Sequence, residues 1–351
     1  MKIAILNNLY PPYERGGAEK IVARQIEELR EAGHEVFLVT TRPVGSSLQP
    51  TEGGPRVVQV ASRYFNLGDW PFFLRPFWHL ANIFSWRKYR EIKSILAREK
   101  PARIISHNLM GLGFMTPLAI RHLGLEHEHW LHDIQLLHPS GLMFWGREKR
   151  VDSLAARLYQ TATRSFFASP ARVVSPSNWL LNEHKKRQFF CKSEKVITSP
   201  SQLLPLARPE RKMPSAAKNY LFVGQIETHK GILFLIDVFK KLRDPSIRLI
   251  IVGDGSRLRE AENASALDSR ILFRGRLSAA ETKKAMSEAD WLIVPSLCYE
   301  NSPTVIREAQ AVGLPVIATN LGGIPEMITP SDSLFRPDDS NELARRLGAT
   351  A

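Results

Sequence analysis

The chain opens MKIAILNNLYPPYERGGAEKIVARQIEELREAGHEVFLVTT: an apolar run, a turn, an apolar-periodic run closed by glycine, then a second apolar run. Residues 2–8 read as a strand, and residues 16–32 as a helix with Ile21, Val22, Ile26 and Leu29 on one side and Gly33 at its end. A second strand over residues 35–40 follows at once. A strand, helix and strand packed into some forty residues is the opening of a parallel α/β sheet, because parallel neighbours need a crossover of that length. Apolar runs over residues 102–106, 129–131 and 172–175 extend that sheet.

Near residue 200 the rhythm stops. PSQLLPLARPERKMPSAAK carries four prolines and no period, which marks a link between domains. The strand–helix alternation then restarts with strands over 220–223, 248–252, 271–273 and 291–294 and helices over 230–242 and 257–264. Ser278 and Glu281 form a capping box ahead of another helix. The expected organisation is an N-terminal Rossmann-like domain over 1–200, a linker over 201–217 and a C-terminal Rossmann-like domain over 218–351.

The 351 residues carry a net charge of +13, placed unevenly. Residues 1–200 hold 28 Lys and Arg against 17 Asp and Glu, whereas residues 201–351 hold 20 against 18. Nucleic acid, an anionic membrane surface and a phosphorylated substrate would each suit a basic first half. The charge alone leaves all three open, although no nucleic-acid-binding module stands out. Two distant cysteines, Cys191 and Cys298, supply neither a disulfide framework nor zinc-ligand spacing, which fits a reducing, cytoplasmic setting. The first residues do not read as a signal peptide, and no run reaches the length of a membrane span.

The densest motif is YENSPTVIREAQAVGLPVIATNLGGIPEMI. Ser302 reads as a helix cap, Pro303 as the first helical residue and Gly313 as the stop, so Glu300 lies in the preceding loop and Glu308 inside the helix. A helix N-terminus between two such carboxylates is a ready anion site. This segment resembles the donor-binding motif of the family 4 retaining glycosyltransferases, with its E-x7-E spacing, GLPVIAT and GGIPE. The resemblance implies the GT-B architecture, two Rossmann-like domains facing across a cleft, and transfer of a sugar from a nucleotide-diphosphate donor to an acceptor hydroxyl with retention. It gives Glu300 the sugar hydroxyls, Glu308 the ribose, and the backbone at Ser302, Pro303 and Thr304 the diphosphate. No cofactor or metal is implied, and no D-x-D pair is present.

Further positions follow from the same likeness. In YLFVGQIETHKGI, Lys230 and Gly231 match the family's G-R-x4-K-G segment, whereas Gln225 stands where an arginine is expected. A neutral amide donates a hydrogen bond but no charge, so either donor affinity falls or a cation such as Arg276 compensates. Gly16 and Gly17 match a glycine pair near the donor phosphates, and a plain turn is the other reading of them. The likeness gives His132 in WLHDIQLLHP a contact with the donor sugar and, with Glu300, a catalytic role; a structural role is its alternative. His107 and Asn108 end an earlier strand, facing the acceptor or serving structure alone.

Residues 64–90 hold ten aromatic residues, four cations and one acid, Asp69. The sequence leaves two readings open: a stretch at an anionic bilayer interface, or an aromatic core with outward charges. The cluster of Lys185, Lys186, Arg187, Phe189 and Phe190 has the same character. On the first reading the acceptor is lipid-linked, as in assembly of a surface polysaccharide, and the enzyme is peripheral on the inner face of the cell membrane. The family's further C-terminal helices do not follow LFRPDDSNELARRLG. With Gln225, that keeps a second reading, a weak or inactive nucleotide-sugar-binding protein. A third is a sugar-nucleotide epimerase.

Overall fold

The computed structural model describes residues 1–13, 17–47, 54–198 and 218–349. The linker expected over 201–217 lies outside them, as does Gly16. The chain divides into two units, one of residues 1–142 and 149–198, the other of residues 143–148 and 199–351.

The first unit runs β1 (Lys2–Leu6), α1 (Gly17–Glu31), β2 (Glu35–Pro43), β3 (Arg56–Ser62), α2 (Arg75–Ile83), α3 (Trp86–Glu99), β4 (Arg103–Ser106), α4 (Thr116–His122), β5 (Glu126–Trp130), α5 (Leu154–Phe167), β6 (Arg172–Ser175), α6 (Asn178–Lys186) and β7 (Glu194–Ile197). Its seven strands lie in the order β3-β2-β1-β4-β5-β6-β7, and every pairing is parallel. Crossover helices cover a parallel sheet on both faces, so its central strands are buried on both sides. Ile3, Ala4, Ile5 and Leu6 are accordingly all buried.

The second unit runs β8 (Asn219–Val223), α7 (Ile232–Lys241), β9 (Arg248–Val252), α8 (Leu258–Ser265), β10 (Ile271–Gly275), α9 (Ala279–Glu288), β11 (Trp291–Val294), α10 (Thr304–Ala311), β12 (Val316–Thr319), β13 (Ser333–Phe335) and α11 (Ser340–Ala349). The strand order is β10-β9-β8-β11-β12-β13, again parallel throughout. Alternate residues of each strand feed two cores. Tyr220, Leu249, Ile293 and Ile317 pack with Leu235 of α7 and Leu347 of α11, whereas Leu221, Leu292 and Val316 pack with Ile306 and Ala309 of α10. The fully buried Tyr220 donates its hydroxyl to the Leu347 carbonyl at 2.5 Å, which satisfies the phenol and ties α11 to β8. The Ser278–Glu281 capping box forms at the start of α9 as its spacing predicts.

In each sheet the strand order reverses beside the first strand, between β1 and β4 and between β8 and β11. Loops leaving the carboxyl ends at such a point diverge and leave room for a ligand. His107 and Asn108 fall on the loop after β4, and Gln225, Lys230 and Glu300 on the loops after β8 and β11, whereas His132 follows β5 and Glu308 lies within α10.

Candidate active site

In the second unit the loop after β8 and the loop after β11 meet at a salt bridge. Lys230 closes a 3-10 turn over Thr228–Lys230, and Gly231, at φ +73°, is the cap residue before α7. Lys230 thus stands directly before the cap of α7, at the helix start that the sequence suggests. A Cβ at Gly231 would stand 1.9 Å from the Pro295 carbonyl oxygen, so only glycine brings the two loops this close. Lys230 Nζ then reaches Glu300 Oε1 at 2.6 Å.

Ser296 Oγ also donates to Glu300 Oε1, at 3.0 Å, and the Cys298 thiol lies 3.9 Å from it. Burial pushes the Glu300 carboxyl up, but the Lys230 ammonium outweighs it and holds the group below its ordinary range. Lys230 is pushed down by burial and then raised, on balance, by the same partner. Both groups are charged at neutral pH. Burial and the Glu300 charge push the Cys298 thiol well up, which removes it as a nucleophile.

Main-chain bonds shape the loop that carries Glu300. Gly323 N–H donates to the Glu300 carbonyl at 2.7 Å, and a Cβ at Gly322 would come within 2.3 Å of that same oxygen. On its other side the loop pairs with residues 143–148: Tyr299 N–H donates to Met143, Trp145 N–H donates to Leu297, and Phe144 bridges Cys298 in antiparallel fashion. Tyr299 Oη donates to Glu148 Oε1 at 3.0 Å. Nothing in the spacing of residues 143–148 announces this strap, because a single bridge leaves no periodic trace.

Helix α10 begins at Thr304 with Pro303 in the cap position, and no side chain caps it. The expected Ser302 cap does not form. Pro303 has extended backbone, φ −63° and ψ 117°, and takes the cap place itself, while the Ser302 hydroxyl points to Met327 Sδ at 3.6 Å. Glu308 sits half-buried in the second turn of α10, and Gln225 is exposed in the loop after β8.

In the first unit, Gly17 starts α1, and His132 follows β5. Gln25, His107 and His132 form a chain. His107 Nε2 lies 2.8 Å from Gln25 Oε1, and His107 Nδ1 lies 2.9 Å from His132 Nε2. The amide oxygen only accepts, so His107 carries its proton on Nε2 and accepts at Nδ1 from His132 Nε2–H. His107, 1% exposed and bonded on both sides, positions His132 rather than facing an acceptor. Burial lowers His132 to about 4 and raises the neighbouring Asp133 to about 7. His132, Asp133 and Asn108 line a cavity of about 20 Å³, room for one water.

Residues 16–200 match the description "Glycosyl transferase 4-like domain" and residues 217–350 match "Glycosyl transferases group 1". The chain belongs to the family 4 glycosyltransferases. Two relatives run nearly its full length. One, from Klebsiella pneumoniae, is described as an uncharacterized 42.6 kDa protein in the cps region, 24% identical over 98% of this chain and 91% of that one. The other, TuaC of Bacillus subtilis, is a putative teichuronic acid biosynthesis glycosyltransferase, 23% identical over 99% and 88%. Among solved structures, Anabaena Alr3699/HepE in complex with UDP-glucose superposes with a TM-score of 0.69 at 16% identity, covering 99% of this chain and 89% of that one. The two parallel sheets are thus those of the GT-B fold of this family.

Proposed function

We propose that this glycosyltransferase moves a sugar from a nucleotide-diphosphate donor to the hydroxyl of a glycan or lipid-linked acceptor, with retention, in the assembly of a surface polysaccharide. The observation that carries the reading is the Lys230–Glu300 pair beside an uncapped helix start. An ammonium has three donors, so Lys230 can hold Glu300 and a diphosphate oxygen at once. The N–H groups at Thr304 and the helix dipole add to the same anion, and both stabilise the charge that grows on the leaving diphosphate. Among the described residues, every hydrogen bond to the Glu300 carboxylate goes to Oε1, so Oε2 is the atom offered to sugar hydroxyls.

On this reading Glu308 holds the ribose, Gly16 and Gly17 approach the phosphates, and Gln225 gives a neutral hydrogen bond in place of a cation. His132, its Nε2–H engaged by His107, contacts the sugar. As the C–O bond to the diphosphate breaks, the ring gains oxocarbenium character and the acceptor oxygen bonds on the same face. The acceptor proton passes to the departing phosphate oxygen. The surface-polysaccharide assignment rests on the cps-region and teichuronic-acid relatives.

Calorimetric titration of the full chain with UDP, GDP and ADP tests the site. Saturable binding of one nucleotide, weakened about tenfold by Glu308→Ala through loss of a charged hydrogen bond, is expected. No binding to any of the three would overturn the donor-site reading.

A further inference from the structure

Helix α2 is apolar on the wrong side. Its inner face buries Trp78 and Ile83, as a packed helix should, yet Phe77, Leu80, Ala81 and Phe84 recur at i, i+3, i+4 and i+7 on its outer face. Phe77 is 63% exposed, Leu80 52% and Phe84 52%. Phe73 before the helix and Trp86 after it are 61% and 58% exposed. Phe84 meets Phe166 of α5 edge to face at 5.7 Å, and α5 exposes Leu154 and Leu158 on its earlier turns. An exposed apolar surface of this extent calls for an occupant.

Charge identifies the occupant. Residues 70–90 and 154–167 together contain six cations and no acid, and one of the six, Lys88, is paired with Glu91 just beyond. Arg75, Arg87 and Arg90 of the same segment are exposed. Exposed aromatic rings and exposed arginines on one segment match the headgroup level of a bilayer that carries anionic lipid. Among the described residues no helix is long and apolar enough to cross a membrane, so this face would lie on the surface. The second cluster plays no part: Phe189 and Phe190 are each 1% exposed, and Arg187 is tied to Asp152 and Glu183.

We infer that the outer face of α2, with Phe73, Trp86 and the neighbouring turns of α5, docks this chain on an anionic membrane surface. The test is flotation of the full chain with vesicles of phosphatidylcholine alone or mixed with phosphatidylglycerol, beside light scattering of the free protein. The expected result is binding to the mixed vesicles only. Arg87→Gln with Arg90→Gln should weaken it about thirtyfold, two cations' worth of surface attraction. Phe77→Ser with Leu80→Ser should abolish it while leaving nucleotide titration unchanged, since both side chains stand in solvent. Absence of flotation by the parent chain, or equal flotation by the serine variant, would overturn the inference. A dimer that the serine variant converts to monomer would overturn it in favour of a second copy of this chain.

Discussion

Lys230 donates to Glu300 across 2.6 Å although seventy positions separate them in the chain. One comes from the loop after β8 and the other from the loop after β11, and the pairing of those strands makes them neighbours. With side chains 25% and 14% exposed, the pair is sheltered enough for each charge to depend on the other.

A double-mutant cycle checks that dependence. Lys230→Met and Glu300→Gln should each destabilise the chain, and the double variant should be less damaged than their sum, with a coupling of about 1–3 kcal/mol. Urea unfolding gives the four free energies. Strict additivity would mean that the pair is not formed in solution.

Glu300 and Glu308 should separate by ligand. Glu300→Gln is expected to leave affinity for the free nucleotide within about twofold and to remove the discrimination between its sugar conjugates, roughly tenfold for a lost charged hydrogen bond. Competition between conjugates of one nucleotide reads this directly. Loss of nucleotide affinity itself in the Glu300 variant would reassign the residue to the phosphates.

Gly231→Ala should cost about 3 kcal/mol or more, because positive φ and a Cβ 1.9 Å from the Pro295 oxygen act together. Gly33 has a similar φ of +78° with nothing within 4 Å, so Gly33→Ala should cost only about 1 kcal/mol. Thermal unfolding of the two variants compares strain alone with strain plus collision.

Acidification should destabilise the first unit between about pH 6.5 and 4. His127 is lowered to about 3, His132 and His184 to about 4, and His107 and His129 well below the ordinary value, all by burial first. The unfolded chain takes up these protons near pH 6.5 and the folded chain does not, so stability falls with pH across that window. Asp133, raised to about 7, works the other way: its folded form holds a proton that the unfolded form releases, which favours folding as pH drops below 7. Five histidines outweigh one aspartate. Denaturant midpoints at pH 8, 6 and 4.5 should fall steadily, and a midpoint that rose on acidification would mean that the histidines are hydrated in solution.

Local patterns in the chain were enough to read most of the central strands. Strands over 172–175, 248–252 and 291–294 appear with the limits that their apolar runs give, because a strand buried on both faces is written as an unbroken apolar run. Of the edge strands, β10 was legible from its apolar Ile271–Phe273 start, whereas β3, β7 and β13 were not, since β3 and β7 carry mixed residues such as Gln59 and Lys195 and β13 has only three residues. The residues of the second-unit site were named by motif, but their partnership was not. No spacing rule links Lys230 to Glu300, or Ser296 and residues 143–148 to either. The histidine chain escaped for the same reason, because Gln25 reaches His107 across 82 positions. Among the ten aromatic residues of 64–90 only packing separates Trp78 and Tyr89, which are buried, from Phe77 and Trp86, which are not.

The loop that bears Glu300 owes its course to main-chain bonds, from Gly323 on one side and from Met143 and Trp145 on the other. A loop held by its backbone keeps its shape when its side chains change. Substitutions at Cys298, Asn301 or Ser302 should therefore leave the scaffold standing. On the proposed function, this loop is where substitution would change the donor at little cost to folding.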